Sequence, residues 1–111
     1  MVRGTRRRGD PDLAYRIDYS PTTDEHLRVL TARQRAVVFD GVDEQLEHEP
    51  GVETRNRKPM RPNPRAPWEL RIEELREYYE IEELPEQVVT IVAVGVKDRN
   101  RVLIGGKEIK L

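Results

Sequence analysis

The sequence predicts an α+β domain: one strand, a two-helix hairpin, then a largely antiparallel sheet of three to five strands. Three observations lead there. An alternating apolar run at Leu13–Tyr19 is followed by two helix starts, at Ser20-Pro21 and at Thr31–Gln34, and period-2 patterning takes over from Trp68 to the end. At 111 residues the chain is one domain's length, enough to bury roughly two-thirds of its unfolded surface around a single modest core.

Each element has a local reason. Residues 1–11, with Arg3, Arg6, Arg7 and Arg8, show no period and read as a disordered basic arm ahead of a single domain at 12–111. In Leu13–Tyr19 the residues Leu13, Tyr15, Ile17 and Tyr19 alternate, as in a half-buried strand. Ser20 offers an N-cap oxygen and Pro21 a pre-set first turn, predicting a helix over Pro21–Leu30. Thr31 and Gln34 fit a capping box, and Val38, Val42 and Leu46 recur on one face of the helix behind it, which Pro50 and Gly51 stop. Gly51–Pro67 reads as a long proline-rich loop, a length that is functional or disordered when it occurs in a compact domain. Trp68, Leu70 and Ile72 then alternate with Glu69, Arg71 and Glu73, and Leu75–Ile81 gives the returning strand. Val88–Val96 is apolar on both faces, which predicts a central strand covered on both sides. Gly105-Gly106 marks a hairpin between Val102–Ile104 and Lys107–Leu111.

Composition excludes several classes. There is no cysteine, hence no disulfide framework or Cys zinc site, and His26 and His48 are too few for a closed His-rich metal site; no cofactor is implied. The two histidines read as surface residues on helices. No apolar run approaches a membrane span, and nothing after the basic N-terminus resembles a secretory signal, so a cytoplasmic protein is expected. The net charge of −1 conceals segregation: five acids and no Lys or Arg at 40–49, five bases against Glu53 alone at 53–65, and eight glutamates with only Arg71 and Arg76 among them at 69–86.

The order of elements and the wording Trp68–Ile72 (WELRI), Leu75–Tyr79 (LREYY) and Val94–Lys97 (VGVK) resemble the RelE/ParE superfamily of bacterial type II toxins. Tyr15, Ile17 and Tyr19 leading into Ser20-Pro21 resemble its first strand. The resemblance implies a RelE-like fold and a toxin neutralised by a cognate antitoxin protein. One branch cleaves messenger RNA in the ribosomal A site; another inhibits DNA gyrase and cleaves nothing. The cationic patch that Arg71, Arg76 and Lys97 can form favours the first here, a ribosome-dependent endoribonuclease. The alternatives are a ParE-like gyrase inhibitor and a non-toxic binding module of the same shape.

Cleavage by an internal 2′-hydroxyl needs a proton acceptor, cations around the phosphorane and a donor for the leaving oxygen. Strand alternation brings Arg71, Arg76 and Tyr78 to one face, with Lys97 at its rim. The family pattern assigns Arg76 to the scissile phosphate, Arg71 and Lys97 to supporting charge and Tyr78 to proton donation. The bases Arg55, Arg57, Lys58, Arg61 and Arg65 are candidates for following an RNA backbone, against the plain alternative of solvated loop charge. Likewise Arg71 and Arg76 could be cross-strand ion pairs. Two departures stand out: Glu69 occupies a position where ribonucleases of the family carry lysine, and no tyrosine follows Lys97, where Leu103 and Ile104 stand. Glu69 is then an alternative proton acceptor. Tyr79, sharing a face with Leu75 and Ile81, and Trp68 read as core.

Overall fold

Residues 14–109 are described by a computed structural model. In chain order they form β1 (Arg16–Tyr19), α1 (Thr23–Arg28), α2 (Ala32–Leu46), β2 (Arg57–Pro59), β3 (Trp68–Ile72), β4 (Leu75–Glu82), β5 (Val88–Asp98), β6 (Arg101–Ile104) and β7 (Lys107–Ile109). The seven strands make one sheet in the order β2-β3-β4-β5-β6-β7, with β1 alongside the first half of β5. The expected order of strand, helices and sheet is present, with more strands than the sequence suggested. The expected basic arm and Leu13 lie outside the described residues.

The sequence left one pairing open, that of β1, and two local expectations are corrected. β1 runs parallel to β5, Arg16 opposite Val88 and Tyr19 opposite Ile91, whereas the other five pairings are antiparallel. A parallel partner needs a long crossover, which α1, α2 and the β2–β4 strands provide. The supposed loop contains β2, whose pairing with β3 sets Lys58 opposite Glu69. α1 is shorter than Pro21–Leu30 because Ser20 acts through its carbonyl: Thr23 N–H and Oγ1–H both donate to it at 3.0 and 2.7 Å, while the Ser20 hydroxyl pairs with Thr22 Oγ1.

α2 follows its sequence signals closely. Thr31 Oγ1 accepts from Gln34 N–H at 3.1 Å and Gln34 Oε1 accepts from Thr31 N–H at 3.0 Å, so two of the helix's first donors are satisfied reciprocally. Val38, Val42 and Leu46 are wholly buried against a layer that includes Leu70, Leu75, Tyr79, Val89, Ile91 and Val94. Each such side chain contributes about 1.5–3 kcal/mol. Gly41 permits the close seat of this helix, since a Cβ there would lie 2.0 Å from Ile72 Cδ1.

Arg57 ties the end of α2 to the sheet. Its Nη1 donates to the Gln45 carbonyl at 2.6 Å and its Nε to the Val52 carbonyl at 2.9 Å. Arg57→Ala is expected to lower stability by about 1–3 kcal/mol, because it strips a charged donor from a helix-end carbonyl. Chemical denaturation would show this as a lower midpoint at unchanged slope; an unchanged midpoint would contradict the role.

The far edge of β5 is shared: β1 occupies 88–91 and β6 occupies 95–98. α1 and the turn before it fill the gap between them. Thr22 Oγ1 donates to the Val92 carbonyl at 3.2 Å and Val94 N–H donates to His26 Nδ1 at 3.2 Å. His26 is therefore half-buried and bonded, rather than the plain surface residue expected. Burial, then the charge of Arg65, lowers its pKa below the ordinary 6.5, against a smaller opposing effect of Glu25. Below about pH 6.5 the unfolded chain takes up the proton first, so stability falls as pH falls through that value and levels off once the folded imidazole also titrates. Melting temperature measured between about pH 7.5 and pH 5 should show this acid slope, and His26→Ala should flatten it. An equal slope in the variant would rule His26 out.

The second face of the sheet carries its own cluster. Ala66, Tyr78, Ala93 and Ile104 are buried there, with Met60, Val92, Val102 and Ile109 packed around them. Asn63 organises the proline-rich segment over this face: Oδ1 accepts from Arg65 N–H and Ala66 N–H at 2.7 and 3.0 Å, and Nδ2 donates to the Arg61 and Ala66 carbonyls at 2.7 and 2.9 Å. β5 is thus covered on both sides, as its apolar run implies.

Candidate functional site

The face away from the helices carries a polar constellation built by β3 and β4. Glu69 stands directly opposite Tyr78, and Arg71 opposite Arg76. Tyr78 O–H donates to Glu69 Oε2 at 2.8 Å and Arg71 Nε donates to Glu69 Oε1 at 2.6 Å. The carboxylate is nearly buried, at 7% exposure, and both its oxygens are engaged. Arg71 is half exposed, and among the described residues its outer guanidinium nitrogens are directed to no acceptor. Such a pair fixes the orientation of a guanidinium, which is the requirement for bidentate contact with an anion.

Tyr78 differs from its expected state. It lies on the outward face, yet it is wholly buried, because the proline-rich segment and the β6–β7 hairpin close over it. Burial first, then the hydrogen bond to Glu69 and that group's charge, push its phenol well up from 10. A phenol so placed holds its proton on Glu69 and positions the carboxylate. Both tyrosines of the pair are wholly buried: Tyr79 faces the helices, donates to the Pro50 carbonyl at 2.8 Å and stacks on Trp68 with ring centroids 6.0 Å apart.

Glu69, Arg71 and Tyr78 line a cavity of about 510 Å³ together with Met60, Asn100, Arg101 and Ile109, among others. Its mouth mixes charges. Arg101 lies 3.3 Å from Asp98 and 3.9 Å from Glu108. Arg76 shares the face but not the cavity; its Nη1 donates to the Glu73 and Leu75 carbonyls at 2.9 and 2.8 Å, folding it over the β3–β4 turn. Lys97 is exposed on β5, opposite Val102 and one pleat beyond Gly95, also outside the cavity lining. The structure therefore brings Arg71 and Tyr78 together through Glu69 and leaves Arg76 and Lys97 flanking.

The five basic residues of the 55–65 segment have separate fates. Arg55 and Arg61 are exposed, and Arg65 is half-buried near His26. Lys58 reaches Glu53 at 4.0 Å, and Arg57 is committed to carbonyls at the end of α2. Arg61 and Arg65 border a second cavity of about 450 Å³ lined by the proline-rich segment and Glu80. Met60, Asn100, Arg101 and Ile109 were absent from the sequence-based site. For Arg101 and Ile109 the Gly105-Gly106 turn was the signal, since a hairpin there can fold its strands back over the outward face.

Among the described residues no group of three His, Cys, Asp or Glu side chains could hold a metal ion, and no helix is long and apolar enough to cross a membrane. No family model and no curated protein matches the chain.

Proposed function

We propose that the chain is the toxin of a type II toxin-antitoxin pair, acting in the cytoplasm as a ribosome-dependent endoribonuclease and neutralised by a cognate antitoxin protein. The observation that carries this reading is the Tyr78–Glu69–Arg71 array at the floor of an open cavity. A carboxylate held next to a guanidinium whose outer nitrogens have no acceptor among the described residues suits transesterification of RNA. Arg71 takes the scissile phosphate through those nitrogens, and Glu69 accepts the 2′-hydroxyl proton on a remaining lone pair. The 2′-oxygen bonds to phosphorus as the bond to the 5′-oxygen breaks; solvent water protonates the leaving oxygen. The products are a 2′,3′-cyclic phosphate and a 5′-hydroxyl. Tyr78 positions Glu69, and Arg76, Lys97, Arg55, Arg61 and Arg65 add surrounding charge for the RNA backbone.

One observation favours a second reading. Glu69 partly neutralises Arg71, the only arginine in direct contact with the array among the described residues, which suits a protein-binding face, as in a gyrase inhibitor. Induced expression separates the two. Growth arrest with messages cut inside coding regions supports the nuclease; arrest with intact messages and lost supercoiling supports the inhibitor; undisturbed growth contradicts the toxin assignment.

A further inference from the structure

The helix-facing side of β4 carries a carboxyl group for which the cavity chemistry has no use. Alternation puts Leu75, Glu77 and Tyr79 on that side, and Glu77 is wholly buried between Leu70 of β3 and Val94 of β5. Among the described residues neither of its oxygens has a hydrogen-bond partner, and the buried hydroxyl of Tyr19 on β1 has none either. An acid in that setting is expensive in both protonation states: neutral, it forgoes hydrogen bonds to water; ionised, it has no cation in contact among the described residues.

The surrounding charges do not relieve it. Tyr19 feels both Glu77 and Asp43 of α2. Through the sheet, Arg76 favours the ionised carboxylate and Glu69 opposes it, while burial outweighs both and holds the Glu77 pKa well above the ordinary 4.5. What keeps water from this group is α2, which packs on β3 and β4. Gly41 brings the helix backbone down onto Ile72, and Glu77 has no exposed surface while the helix is docked.

We infer that Glu77 makes the seat of α2 on the sheet proton-linked: the helix is docked with Glu77 neutral, and loss of that proton promotes its release. Opening hydrates the carboxylate, which then ionises as an ordinary one. The population of the open form should therefore rise up to about tenfold per pH unit between the open and docked titration points. His26 acts in the opposite sense and at the far edge of β5, so the two linkages separate by sign and by place.

Hydrogen exchange of the full chain between about pH 5 and pH 8, corrected for intrinsic chemistry, tests this. Protection factors of the α2 amides are expected to fall with pH in the wild type and to stay flat and higher in Glu77→Met. Equal slopes in the two overturn the proposal. Should Glu77→Met fail to fold, Glu77→Gln and carboxyl ¹³C titration of the wild type decide. A Glu77 resonance titrating at the ordinary carboxyl value overturns the linkage, and one titrating well above it supports it.

Discussion

Arg71→Ala should abolish growth arrest on induction while the protein still accumulates folded. The side chain is half exposed and its one bond among the described residues is to Glu69, so its loss costs little packing. What it removes is the only guanidinium held by the Glu69 array among the described residues. Loss of a charge-stabilising contact of this kind costs about 10²–10³ in rate. Glu69→Gln, which retains an acceptor for Tyr78 but cannot take a proton, should lower cleavage by about 10²–10⁴. Arg76→Ala should cost less than either, because Arg76 is spent on turn carbonyls. Growth curves on induction, with expression levels matched by immunoblot, give the ranking. Full toxicity of Arg71→Ala would remove it from the site.

The largest effect on stability should come from Gly95→Val. Gly95 pairs with Ile104 where β6 folds over the outward face, and a Cβ there would lie 2.7 Å from the Leu103 carbonyl oxygen, 2.9 Å from Ile104 Cγ1 and 3.0 Å from Val102 Cγ1. The first of these is backbone and cannot rotate away. Overpacking of a single added carbon costs about 1–3 kcal/mol, and valine adds two more. Each kcal/mol lowers the melting temperature of a domain this size by roughly 4–8 °C, so the variant should melt well below the wild type. Since β6 and β7 wall the cavity, toxicity should fall with it. A melting temperature within a few degrees of the wild type would contradict the account of the close β5–β6 packing at Gly95.

Much of this architecture was legible because its signals are local. The Thr31–Gln34 box and the Val38, Val42, Leu46 stripe specify α2 without reference to anything else in the chain. The Gly105-Gly106 turn marks the closing hairpin, with both glycines at positive φ. The parallel pairing of β1 with β5 was not legible, because partner choice across so long a connection leaves no mark in either strand. Nor was β2: three residues ending in a proline, placed only by the register of Lys58 against Glu69.

The site divides the same way. Alternation placed Arg71, Arg76 and Tyr78 on one face, and the structure has them there. It could not say that Arg76 would bond backbone carbonyls, or that the proline-rich segment and the last hairpin would bury Tyr78, since covering a face is a tertiary event. Glu77 is the instructive case. Its alternation with Leu75 and Tyr79 is a core-face signal, whereas its place among eight glutamates at 69–86 reads as solvated charge; the structure buries it wholly.

The central claim is that the Glu69–Arg71 array cuts RNA on the ribosome. The most direct measurement is primer extension on a defined message in a reconstituted translation reaction, with purified wild type and Glu69→Gln. New 3′ ends inside the A-site codon, ending in a cyclic phosphate and dependent on Glu69, are the result expected. Message left intact by a wild-type protein that still arrests growth would contradict it.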